Sequence, residues 1–63
     1  MSFIANSKNN VGVQRDDVRA MLIQGLWIIL KMRGGPDIVY EEAKDEAELA
    51  TLKSRTWNQL TAE

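Results

Sequence analysis

Carboxylates are the only side chains in this 63-residue sequence that are both plentiful and capable of catalysis. The nine Asp and Glu include two adjacent pairs, Asp16-Asp17 and Glu41-Glu42, and a cluster of Asp45, Glu46 and Glu48. Paired carboxylates do general acid–base work when two of them reach the same reacting group. Side chains of adjacent residues diverge in a helix and in a strand alike, so neither pair is expected to converge. The Asp45–Glu48 cluster falls at an expected helix N-terminus, where capping and the helix dipole account for it. With no His and no Cys, Ser-His-Asp and Cys-His catalysis, disulfides and thiolate zinc sites are excluded. No EF-hand loop occurs, and Gly34-Gly35-Pro36 lacks the spacing and the Lys of a phosphate-binding loop. A non-enzymatic chain is expected, with no catalytic residue, no cofactor and no metal.

The elements that position these residues follow from the apolar pattern. Residues 15–33 (RDDVRAMLIQGLWIILKMR) hold the longest apolar run. Asp16 or Asp17 suits a helix start, Lys31 and Arg33 suit a helix end, and Gly34-Gly35-Pro36 suits a stop. A hairpin of Ala20–Ile23 and Leu26–Leu30 turning at Gln24-Gly25 is the rival, favoured by Ile28 and Ile29. The agreement of start and stop signals selects a helix over about 16–33. Asp45 and Glu48 form a capping-box pattern, and Leu49, Leu52, Thr56 and Leu60 follow helical spacing, so a second helix is expected at about 46–62. Residues 37–44 admit two descriptions, a short strand near 38–40 or a direct run into the second helix. Residues 1–14 are expected to form an extended arm, anchored by Phe3 and Ile4, with no signal-peptide pattern. The fold class expected is therefore all-α, a two-helix hairpin with an extended N-terminal arm, completed by oligomerisation or docking.

On a helical wheel the first helix is apolar nearly all round, and only Asp17, Gln24 and Lys31 leave a polar stripe. A chain this short buries only about 60% of the surface its unfolded form exposes. It has too little other chain to surround such a helix. The apolar run over 18–30 is shorter than the roughly 20 residues of a membrane span, so a transmembrane segment is not expected. Eight Lys and Arg against nine Asp and Glu give a formal charge of −1. Arg15 and Arg19 at one end and Lys31 and Arg33 at the other make end charges, with no basic stripe to track nucleic acid. The expected partner is protein, either another copy or a larger assembly. The candidate interface is Phe3, Ile4, Val18, Met21, Leu22, Leu26, Trp27, Ile29 and Leu30. Trp57, on the second helix, is expected in the core.

The outline of extended arm, apolar helix, short connection and charged helix resembles small virion or assembly subunits of phage, such as head–tail joining and cement proteins. The resemblance rests on architecture and no shared motif. It implies a structural subunit of a multi-subunit particle, in the cytoplasm or a virion. A regulatory binding module, such as a small inhibitor or antitoxin-like protein, is the first alternative, and a small membrane-associated protein is the second.

Overall fold

The structure, a computed structural model, describes residues 3–62. Its order is β1 (Phe3–Ala5), β2 (Gly12–Gln14), a 3-10 turn (Arg15–Asp17), β3 (Val18–Gln24), β4 (Trp27–Met32), β5 (Ile38–Glu42) and α1 (Glu46–Thr61). β1 and β2 pair as an antiparallel ribbon, and β3-β4-β5 form a three-stranded antiparallel sheet. The all-α expectation is therefore overturned, and no helical hairpin exists among the described residues. The phage resemblance rested on that helical outline and falls with it.

The long apolar run forms a β-hairpin where a helix over 16–33 was expected. Gln24 pairs with Trp27 across the two-residue turn Gly25-Leu26. Gly25 has φ of +61°, the glycine-first pattern of a tight hairpin turn. Nothing lies within 4 Å of where a Cβ on Gly25 would sit, so the backbone angle is what calls for glycine there. The signals that suggest helix ends serve other purposes. Asp16 and Asp17 lie in the 3-10 turn, and Gly34, at φ of +68°, lies in the connection from β4 to β5. Arg33 N–H donates to Asp17 O at 2.7 Å, which ties the two ends of the hairpin together.

Splitting the run into two strands resolves its excess of apolar surface. Residues opposed in an antiparallel ladder share a face. The Met21–Leu30–Ile38 and Ile23–Ile28–Glu41 rows point one way, and the Leu22–Ile29–Val39 and Gln24–Trp27–Glu42 rows point the other. α1 covers the first of these faces. Ile28 and Leu30 are fully buried there with Tyr40 and Leu52, and Ile4 and Val13 of the ribbon complete the same core. Within the segment expected to be an arm, β1 and β2 thus pair with each other and supply core residues.

At 37–44 the strand description holds, as β5. Ile28 pairs with Glu41 and Ile29 with Val39, so Tyr40 is the extra residue of a bulge. A bulge turns consecutive side chains away from strict alternation, and both Tyr40 and Glu41 are buried towards α1. The helix starts at a built cap. Asp45, in extended conformation, accepts from Glu48 N–H at 2.8 Å, and Glu48 Oε1 accepts from Lys44 N–H at 3.1 Å.

Candidate functional site

The one buried carboxylate among the described residues is Glu41, and its groups are already engaged. Both of its oxygens lie 3.1 Å from Ser7 N, and Oε2 accepts from Ser7 Oγ. The Arg55 guanidinium is 3.8 Å from Oε1. Beside it, Asn6 Nδ2 donates to Tyr40 O at 2.7 Å and also to Asn10 Oδ1, while Asn6 Oδ1 accepts from Asn10 N–H. Asn9 completes this turn at φ of +59°, a conformation Asn tolerates better than most residues. Together these contacts fasten the β1–β2 turn to the bulged edge of β5. Glu41 is 3% exposed, and its part is that of a brace. Among the described residues, no group of three or more acidic side chains is placed to hold a metal.

Burial holds the Tyr40 hydroxyl above its ordinary pKa. The Glu41 charge adds to that shift, and the Arg55 charge and the hydrogen bond to Gln59 oppose it. The hydroxyl donates to Gln59 within the chain's own packing.

The fold leaves one apolar sheet face open. On the sheet face opposite α1, Leu22 and Trp27 are each 43% exposed and Val39 is 48% exposed, with half-buried Ile29 between them. A solvated face of an antiparallel sheet ordinarily alternates to polar residues. Here only the rim does, with Lys31 and Glu42 at its two ends. Lys31 is 3.3 Å from Asp37 in an exposed pair that adds little stability. Beside β5, Trp27 and Val39 join Asn6, Lys8 and Asn10 in an open cleft of ≈ 200 Å³.

The sequence-derived interface residues separate into two groups. Leu22, Trp27 and Ile29 come together on the open face. Phe3 is exposed on the ribbon, where its ring lies against the Gly12 backbone. Ile4 and Leu30 lie in the chain's own core, and Val18, Met21 and Leu26 pack partly buried against it. Val39, Ile23 and Trp57 are exposed apolar residues outside that set. Trp57 is correspondingly out of the core in which it was expected. The alternation of the Ile38–Glu42 strand is the signal that locates Val39, whereas Ile23 shares the α1 side with Ile28 and is exposed because β3 is the edge strand. No signal in the sequence exposes Trp57. No helix among the described residues is long and apolar enough to cross a membrane.

Comparison with protein-family models, curated proteins and solved structures finds no match.

Proposed function

We propose that this chain is a small non-enzymatic structural subunit that assembles with other protein chains through the uncovered side of its three-stranded sheet. The observation that carries this is the Leu22–Ile29–Val39 row with Trp27 beside it, apolar at positions that a solvated sheet face fills with polar residues. Contiguous exposed apolar patches with polar rims mark interaction sites. Aromatic anchors such as Trp27 are enriched among the residues that dominate binding energy. α1 already covers the other face, so a partner is the remaining means of burying this one.

Sedimentation velocity across concentrations from about 1 to 100 µM, the range in which weak protein contacts form, tests the assignment. A species heavier than the 7.1 kDa chain is expected. Val39→Lys, on an exposed position, should shift it towards a smaller species without loss of the circular dichroism of the folded chain. A well-folded monomer at every concentration overturns the assignment.

A further inference from the structure

We infer that the partner is a second copy of this chain, joined edge to edge through β3 into one six-stranded antiparallel sheet. This rests on the reading of the chain as an assembling subunit and specifies where the first contact forms. β3 is the outer strand of its sheet, and no strand pairs with its far edge among the described residues. Seven residues long, it is the longest strand of the fold. Its two-residue turn closes on the bonded pair Gln24 and Trp27, and bonding alternates along an antiparallel ladder. That alternation leaves the N–H and C=O of Met21 and Ile23 directed at the open edge. Exposed edges of this kind are templates for pairing with another chain.

The edge is complementary to itself. A two-fold axis at Leu22 pairs Met21 with Ile23 of the other copy, Leu22 with Leu22, and Ala20 with Gln24. All five residues are uncharged, and Arg19, the one charge on β3, stands outside them at the bulge. Side-chain shape follows the same symmetry. Ile23 projects from the edge on the α1 side and is 40% exposed. Further along that edge, an open groove runs between Met21 and α1, with Trp57 and Leu60 on its helical wall. Trp57 is 54% exposed there. Pairing at Leu22 brings the second copy's Ile23 opposite Met21, on the face that borders this groove, and the exchange is reciprocal, as a two-fold contact demands. It accounts for Leu22, Ile23 and Trp57 together. It also joins the two open apolar faces into one across the axis. A foreign strand could use the backbone groups, whereas a second copy in this register also sets an Ile23 beside the groove on each side of the axis.

The chain lacks cysteine, so single substitutions read the register directly. Leu22→Cys places two thiols opposite each other in a non-bonded pair, close enough for a disulfide. With added diamide as the two-electron oxidant, Leu22→Cys is expected to cross-link at least roughly tenfold faster than Ala20→Cys or Gln24→Cys alone, whose thiols lie about 13 Å from their own copies. Mixing the last two variants restores cross-linking, because positions 20 and 24 oppose. Ile23→Lys, which removes the knob and charges the edge, is expected to abolish the dimer in native mass spectrometry while the fold persists. Equal cross-linking of all three cysteine variants, or an oligomer untouched by Ile23→Lys, overturns the edge dimer and leaves assembly through the sheet face standing. A wild-type chain that is monomeric throughout overturns both.

Discussion

The Tyr40 hydroxyl donates to Gln59 Oε1 at 2.9 Å, and Gln59 Nε2 in turn donates to Ala5 O at 3.0 Å. One helical side chain thereby joins β5 to β1, two strands that belong to different sheets. Removing it should cost more than a surface amide normally would. Gln59→Ala leaves a buried hydroxyl and a strand carbonyl without partners, and about 1–3 kcal/mol of stability should be lost. Urea denaturation followed by circular dichroism measures this. Tyr40→Phe removes donor and need together and should cost less than Gln59→Ala.

Stability should fall at alkaline pH through the same hydroxyl. Burial raises the Tyr40 pKa in the folded chain above its ordinary value, so near and above that ordinary value, about 10, the folded state holds more protons than the unfolded state. The slope of unfolding free energy with pH is then negative. The contribution is intact below about pH 10 and disappears as pH rises through the folded pKa. Tyr40 is the only tyrosine, so tyrosinate absorbance near 295 nm reports this group alone. Absorbance should rise together with unfolding in the wild type. Ionisation at the ordinary tyrosine pKa, with the fold intact, contradicts the burial.

Thr56 is fully buried and its Oγ1 has no hydrogen-bond partner. A valine has nearly the same shape and no polar atom to desolvate. Thr56→Val is expected to raise stability by about 1 kcal/mol. Thermal unfolding decides the point, and a lower melting temperature would mean that the hydroxyl has a partner after all.

Glu41 should behave as the clamp on the Asn6–Asn10 turn. Glu41→Ala removes the acceptor for Ser7 N–H and Oγ, bonds to a buried charge whose loss should cost about 2–3 kcal/mol. Arg55 lies 3.8 Å away and is 41% exposed, so its share is small. Glu41→Gln keeps an acceptor and should lose less. Hydrogen exchange should speed up first at Ser7 and its neighbours. A uniform increase over the whole chain would instead mean that Glu41 serves global stability alone.

The helix at the C-terminal end was legible because its determinants are local. Asp45 and Glu48 are three residues apart and cap within one turn, and Leu49, Leu52, Thr56 and Leu60 repeat at helical spacing. The hairpin was legible only as a rival, since an apolar run with a central glycine fits a helix wheel as well as it fits two strands. Acidic residues before it and Gly34-Gly35-Pro36 after it suit turns as readily as caps. The bulge at Tyr40 was not legible at all. It depends on the register between β4 and β5, which no spacing within Ile38–Glu42 expresses.

From its own residues the sequence determined that cysteine and histidine chemistry is absent from these 63 residues, that their apolar surface is concentrated in Val18–Met32, and that a capped helix follows Asp45. Tertiary structure alone decided which of those apolar residues are spent inside the molecule. Strand pairing sends Leu30 and Ile28 under α1 and leaves Leu22 and Trp27 outside. The physical reason is the two-residue period of a strand, in which a change of register by one would exchange the buried set for the exposed one.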